Sequence, residues 1–564
     1  MQEQIICSIL SGKDTLALMP TGGGKSLCFQ VPTLAMASDA DSTDTLCLVI
    51  TPLIALMKDQ VEHLLSRQIR AAAIYTGMSR QAQQTVMDNC QFGPYRFLYV
   101  SPERLESEAF LRRLTDLPIR LIAVDEAHCI SQWGYDFRPA YLRIGNLRKL
   151  LDEKVGHVPV LALTATATPE VASDIQNRLM FPAPNVVQQS FARTNLRYIV
   201  RYCRNDRPSA NDTEQMTKTE QVQHILQRIK GSSIVYVRNR KRAEQLADLL
   251  GVAYYHAGLD SRERSLRQAA WQQSQTAMVC TNAFGMGIDK PDVRVVIHYD
   301  LPDSLEAYFQ EAGRAGRDGN TAYAVLLYAT DDRTRLKKRV HDNFPDRAFV
   351  NEVYNKICDH LVVGVESGQG HAFRLHINEL CQLSHLPVLP TYSALQLLDM
   401  AGYIHFEEEH ETQPRVSMTV SANELSEYVL SDEQKQLIHT LMRRYPGIFT
   451  DLQYLLEPMT DHLHELLVSL AQRHILTYIP ADRSALFVFE QDRQKEVFIP
   501  AAFYEQRLLR YEERLQAMLA YAEQHTECRQ RVLLRYFGED NALPCGHCDT
   551  CLSHPPHHIT NETP

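Results

Sequence analysis

Short apolar runs rich in β-branched residues recur along the first 300 residues of the chain, separated by polar stretches of helix-like character. TLALM (15–19), LCLVI (46–50), FLYVS (97–101), IRLIAV (119–124) and LALTAT (161–166) form a first series. SSIVYV (232–237), VAYYHA (252–257), AMVCTN (277–282) and VRVVIHY (293–299) form a second. Strand-like runs that alternate with helix-like segments predict parallel strands joined by crossover helices. The chain therefore reads as two α/β halves, over 1–192 and 193–330. RNDRPSANDTEQMTKTE (204–220) is polar, lacks apolar periodicity and reads as a linker or surface loop.

Beyond residue 331 the plan changes. SALQLLDMAGYIHF (393–406) reads as an amphipathic helix, a stop at Gly402 and a strand. DHLHELLVSLAQRHILTYIP (461–480) repeats that order, and SALFVFE (484–490) supplies another strand. Two winged-helix-like modules are expected within 331–505, then a helical, cysteine-bearing segment over 506–553 and a disordered tail over 554–564. The segment 391–401, the candidate recognition helix, has no Lys or Arg, the side chains that most often contact phosphate and guanine. The first module is thus expected to be structural or protein-binding rather than a DNA clamp.

Charge narrows the partners only slightly. The net charge is −10, and residues 351–440 hold thirteen acidic against four basic groups. The remainder is close to neutral, so basic side chains can line a cleft, and charge neither supports nor excludes a nucleic acid. No apolar run approaches the ~20 residues of a membrane span. MQEQIICSIL lacks the basic start and apolar core of a secretory signal, so a cytoplasmic protein without a membrane partner is the simplest reading.

MPTGGGKS (19–26) lies between a strand and a helix. Thr21, Gly22, Gly23 and Gly24 would bring backbone N–H groups to phosphate oxygens. Lys25 would reach the β- and γ-phosphates, and Ser26 would help to hold Mg²⁺. The strict pattern begins with glycine where this chain has Met19; a flexible glycine turn is the bland alternative. VDEAHCISQWGYDFRP (124–139) ends another strand. Asp125 would hold Mg²⁺ and Glu126 would orient or deprotonate a water. An isolated Asp-Glu pair is more often a surface feature. QEAGRAGRDG (310–319), in the second half, carries Arg314 and Arg317 three apart, on one face of a helical turn if the segment is helical. Either could stabilise charge on a transferring phosphate; alone, the segment would read as a solvated basic helix.

Of thirteen cysteines, nine are scattered and four cluster: Cys528, Cys545, Cys548 and Cys551, spaced C-x16-C-x2-C-x2-C. This is no disulfide framework. Four thiolates suit a closed structural Zn²⁺ site; an iron–sulfur cluster is the rival, and unliganded thiols remain open.

Taken in order, these pieces resemble a superfamily-2 helicase core, and one family closely, the RecQ helicases. MPTGGGKS, TPLIALMKDQ (51–60), SPERL (101–105), DEAH (125–128), LTATAT (163–168), YHAGL (255–259), FGMGIDKPDVR (284–294) and QEAGRAGRDG match its motifs. The resemblance spans residues 2 to about 330 and resumes at 528–552. It implies two RecA-like domains with ATP between them, Zn²⁺ at the four cysteines, and a 3′→5′ DNA helicase acting on single-stranded and forked or tailed duplex DNA. Repair, recombination or replication restart would be the setting, beside the bacterial nucleoid, with single-strand-binding and recombination proteins as partners.

It also assigns residues. The aromatic-rich loop after DEAH, carried by Trp133, Phe137 and Arg138, would couple DNA contact to hydrolysis; burial of Trp133 and Phe137 in a core is the alternative. Thr51, Pro52, Lys58 and Asn282 would grip the single strand or link it to ATP. His128 and Gln310 join the catalytic set. Gln2 matches a glutamine that contacts adenine, but Met1 stands where the preceding motif residues belong, which leaves adenine selectivity open. An RNA helicase, or a DNA-annealing protein with weakened ATPase, are the other readings. The zinc segment directly follows the motor in many relatives; here residues 331–505 intervene.

Overall fold

A computed structural model describes residues 1–20, 23–39, 42–75, 78, 80–131, 138–204, 216–285, 290–407, 414–421, 424–445, 447–449, 453–455, 460–480 and 484–554. The chain divides into two compact units, Met1–Lys337 with Leu509–Pro564, and Lys338–Leu508.

The first unit is built on two parallel sheets. One contains β1 (Thr15–Leu18), β2 (Leu46–Ile50), β3 (Ala71–Ile74), β4 (Phe97–Val100), β5 (Ile119–Val124), β6 (Val160–Thr164) and β7 (Val186–Gln188), in the order β3-β4-β2-β5-β6-β1-β7. Strands β1, β2, β4 and β6 have every residue buried, because helices cover both faces of a parallel sheet. The other contains β8 (Leu196–Tyr202), β9 (Ser232–Tyr236), β10 (Ala253–Tyr255), β11 (Ala277–Cys280), β12 (Val293–His298) and β13 (Ala322–Tyr328), in the order β10-β11-β9-β12-β13-β8. The nine runs expected from sequence are all strands. Four more were hidden: β3 is mostly alanine, β7 is three residues long, β8 mixes arginine with apolar residues at a sheet edge, and β13 follows the arginine-rich turn.

The second unit holds two small modules. In the first, β14 (Ala372–Leu375) and β15 (Ile404–Glu407) both pair antiparallel with β19 (Ala485–Phe489), against the helices Arg347–His360, Ile377–Ser384 and Val388–Met400. In the second, β17 (Gln453–Tyr454) and β18 (Leu476–Ile479) flank β16 (Arg415–Met418), with the helices Asp432–Arg444 and Asp461–Gln472. The strand expected over 484–490 is β19, and it completes the first module. The second module is thus inserted between two strands, β15 and β19, that pair with each other. Each has its own core, around Leu395, Leu398 and Phe487 in one and Leu441, Leu467 and Ile475 in the other.

The helical segment expected over 506–553 is built mainly of two helices, Ala501–Glu523 and Arg529–Tyr536, with Cys528 in the break between them. Among the described residues no helix is long and apolar enough to cross a membrane.

Candidate active site

The C-terminal ends of β1, β2, β5 and β6 lie side by side: Leu18 pairs with Thr164, and Val124 with both Ile50 and Ala162. The segments leaving these strands therefore open along one edge, the usual place for a ligand in such sheets. They are the glycine loop, Thr51–Pro52, Asp125–Glu126 and the LTATAT stretch.

Thr21 and Gly22 lie outside the described residues. Gly23 and Gly24 lead through Lys25 and Ser26 into the helix Leu27–Met36. Gly24 has φ +78°, and a β-carbon there would collide with the Gln2 amide. That amide donates to the Gly23 carbonyl at 2.9 Å, so the helix Gln2–Leu10 lays its first side chain on the phosphate loop. Met19 departs from the expected glycine without strain, because its side chain is buried among Ile5, Cys28 and Phe29.

Asp125 is half-buried. Burial first, and the neighbouring Glu126 carboxylate second, push its pKa up to about 6, while Lys25 draws it down. Its Oδ1 accepts from the Glu126 N–H at 3.0 Å, and its Oδ2 lies 3.4 Å from Thr51 Oγ1. Two adjacent half-buried carboxylates, with a lysine nearby, form a donor set suited to a hard divalent cation. Glu126 sits in the left-handed region, φ 47° and ψ 46°, a conformation such a residue adopts only when its surroundings impose it. The imposing contacts include Tyr141, whose hydroxyl donates to the Asp125 carbonyl at 3.0 Å, and His128. His128 is buried, with Nδ1 3.0 Å from Thr164 Oγ1 and 3.3 Å from Glu126 Oε2.

In the second half the helix expected to carry both arginines ends early, at Ala312. Gly313 follows it, and Arg314 and Arg317 lie on successive turns rather than on one helical face. Arg314 is buried and donates to the Gly285 carbonyl; a β-carbon on Gly285 would strike its guanidinium. Arg317 is half-buried. The turn is held from outside by residues that motif reading passed over. Arg193 donates to the carbonyls of Ala315 (2.9 Å) and Gly316 (3.0 Å), and Asn195 to those of Gly316 (2.6 Å) and Asn320 (2.9 Å). The only signal in sequence was a polar SFARTN joining the two series of strands.

A cavity of about 520 Å³ brings several expected residues together. Arg138 lines it from the first half; Asn282, Gln310 and Arg314 line it from the second. The Arg138 N–H donates to the Cys129 carbonyl at 2.9 Å, closing the loop that begins just after Glu126. Trp133 and Phe137 lie outside the described residues. Thr51 is buried, and Lys58 is exposed with its ammonium 5.0 Å over the Tyr75 ring. Pro52 is half-buried and Asn282 exposed.

The sulfurs of Cys528, Cys545, Cys548 and Cys551 all lie within 4.8 Å of one another, 3.9 Å for the Cys528–Cys548 pair. Metal–sulfur bonds of about 2.3 Å in a tetrahedron give edges of about 3.8 Å, so the arrangement fits a tetrahedral ion. Hydrogen bonds from Cys528 and Cys545 hold the Cys548 thiol far below its ordinary range, and burial pushes that of Cys551 up to about 12. Around the cluster, Asp549 accepts from Arg529 Nε at 3.1 Å and from the Val200 N–H at 2.9 Å, and His547 Nε2 donates to the Leu196 carbonyl at 3.2 Å. The segment thereby occupies the open edge of β8, an outer strand that would otherwise offer unpaired backbone groups.

Two RecA-like sheets, a phosphate loop beside paired carboxylates, an arginine turn and a four-cysteine module define the class as a superfamily-2 helicase core. Family models agree: "DEAD/DEAH box helicase" matches residues 1–175, "Helicase conserved C-terminal domain" 217–319 and "RecQ zinc-binding" 490–552. The chain is 44% identical over 339 residues to the probable ATP-dependent DNA helicase RecS of Bacillus subtilis, a stretch covering 59% of this chain and 64% of RecS. It is 41% identical over 344 residues to the ATP-dependent DNA helicase RecQ of Pasteurella multocida, covering 60% of this chain and 51% of that protein. The chain thus spans less than two thirds of either relative. A crystal structure of the DUF1998 helicase MrfA bound to DNA shares the fold, with a TM-score of 0.50 at 18% identity, over 72% of this chain and 58% of that one. Together these matches support a RecQ-family superfamily-2 helicase.

Proposed function

We propose that this chain is an ATP-driven DNA helicase that separates forked or tailed duplexes, 3′→5′, in the cytoplasm during repair, recombination or replication restart. What carries the reading is the shared cavity: Arg138, which closes the loop after Asp125–Glu126, faces Asn282, Gln310 and Arg314 of the other half.

ATP phosphates would rest on the 21–26 loop with Lys25 on the β- and γ-phosphates and Gln2 toward the adenine. Mg²⁺, held by Asp125 and Ser26, supplies charge neutralisation when bound. Glu126, aligned by His128, orients the attacking water. Arg314, with Gln310 and Arg317 beside it, stabilises charge on the transferring phosphoryl group, a contribution on the order of 10³–10⁵ in rate. Thr51, Pro52 and Lys58 in one lobe and Asn282 in the other would hold single-stranded DNA, so that changes in lobe closure move the strand. The loop bearing Trp133 and Phe137 would stack on bases and report their presence to Glu126. Zn²⁺ at the four cysteines has a structural role. Single-strand-binding and recombination proteins are the partners such an activity would meet.

The test is strand separation on a 3′-tailed duplex with ATP and Mg²⁺, using Lys25→Ala as control. Unwinding by the wild type alone, with ATPase stimulated by single-stranded DNA and not by RNA, is expected. No unwinding, or equal stimulation by RNA, would refute the proposal.

A further inference from the structure

Three parts of the first unit meet at one turn. The helix Arg529–Tyr536 ends in a glycine cap: Gly538 has φ +85°, its N–H donates to the Arg535 carbonyl at 3.0 Å, and the Glu539 N–H donates to the Leu534 carbonyl at 2.9 Å. This closing pattern reverses the chain and presents the Glu539 carboxylate to the segment 189–195, which joins β7 to β8. One oxygen accepts from Ser190 Oγ at 2.7 Å, the other from the Phe191 N–H at 2.7 Å. Phe191 is buried, its ring 5.5 Å from that of Phe537 and 6.0 Å from that of Phe309. Two residues further on, Arg193 holds the carbonyls of the arginine turn.

The same turn touches both lobes. A β-carbon on Gly538 would lie 3.0 Å from Pro169 Cγ, at the start of the helix that follows LTATAT. The Tyr536 hydroxyl donates to Glu306 Oε1 at 3.0 Å, on the helix that leads to Arg314. Beside these contacts a cavity of about 410 Å³ is lined by Pro169, Glu170, Glu306 and Tyr536. Any rotation of one sheet against the other has to pass through 189–195, and Glu539 grips that segment near its middle.

We infer that Glu539 is a positioning residue of the motor: it fixes the connecting segment so that Arg193 keeps Arg314 aimed at the nucleotide, and through it the four-cysteine module sets how the lobes close. This rests on the ATP-driven reading above. The carboxylate is suited to the task because a charged acceptor on a backbone N–H is stronger and shorter than a neutral one. The fixed segment matters because misplacing a catalytic group by about 1 Å can cost on the order of 10² in rate.

The experiment uses the full chain with Glu539→Ala and Glu539→Gln. It measures metal content, hydrogen exchange over 189–195, and ATP hydrolysis with and without single-stranded DNA. For Glu539→Ala we expect full metal content, an unchanged KM for ATP and a DNA-free kcat that falls as Arg314 loses its aim. Exchange at Phe191 should be at least roughly tenfold faster, and DNA-stimulated kcat about tenfold lower. Glu539→Gln, which keeps an acceptor for the Phe191 N–H, should fall between. Wild-type exchange at Phe191 and a wild-type kcat in Glu539→Ala would overturn the inference. If that variant loses metal, Ser190→Ala removes one of the two bonds from the other side, and the same readouts decide. A wild type that hydrolyses no ATP would defeat the motor reading instead, and the exchange rates would still judge the brace.

Discussion

Asp125→Asn should make the protein more stable and inactive at once. Burial and the Glu126 charge lift the Asp125 pKa from an ordinary 3.8 to about 6. Two units correspond to about 3 kcal/mol of penalty on the ionised form. An asparagine keeps an acceptor for the Glu126 N–H, but its own amide needs a new partner, a cost of about 1 kcal/mol, so the net gain is about 2 kcal/mol. The sign follows from linkage. A carboxylate raised on folding leaves the native state holding more protons than the unfolded state between about pH 4 and 6, so stability falls as pH rises through that window. The penalty is absent below pH 4 and complete above about pH 7. At roughly 2–4 °C per kcal/mol for a lobe of this size, calorimetry in EDTA at pH 8 should place the melting of the first lobe about 4–8 °C higher in the variant. The gap should close toward pH 4. Mg²⁺ should stabilise the wild type and not the variant, since only the native carboxylate binds it. A variant that melts at or below the wild type at pH 8 in EDTA, or a gap indifferent to pH, would refute the burial argument.

Two further outcomes follow from local geometry. Gly24→Ala imposes a side chain at φ +78° and displaces the Gln2 amide from the loop, so nucleotide affinity in a fluorescent-ATP titration should fall at least about fivefold, near 1 kcal/mol; unchanged affinity would mean that Gln2 has no part in the site. Cys548→Ser keeps an oxygen to cap the helix Asp549–Ser553 but removes one of four sulfurs, so metal affinity should fall by more than the roughly 10–100-fold typical of losing an outer-shell partner. Metal analysis after dialysis against a chelator, with proteolysis of 509–554, checks it; stoichiometric metal in the variant would rule out a four-thiolate site.

Much of this architecture was legible before any coordinates. Runs such as LCLVI and IRLIAV admit little but buried strands, MPTGGGKS marks a phosphate loop because phosphate binding needs backbone N–H groups at a strand-to-helix turn, and the order of MPTGGGKS, DEAH and QEAGRAGRDG resembles that of RecQ helicases. The spacing of the four cysteines marked them as a candidate metal site, and the fold brings their sulfurs within 4.8 Å of one another.

What the sequence could not settle was set by contacts between residues far apart in the chain. The strand over 484–490 belongs to the first module because β14 and β15, more than seventy residues earlier in the chain, supply its backbone partners on both edges. The arginine turn proved not to be a helix, since Arg193 and Asn195, more than a hundred residues earlier, take the carbonyls that a helix would have used. The left-handed backbone of Glu126 sits among contacts from Tyr141 and His128, and the raised pKa of Asp125 comes from burial first and the Glu126 charge second. Local pattern determines which segments can be strands, helices or ligands; the depth of a charge, and which distant carbonyl satisfies a given donor, exist only once the chain has closed on itself.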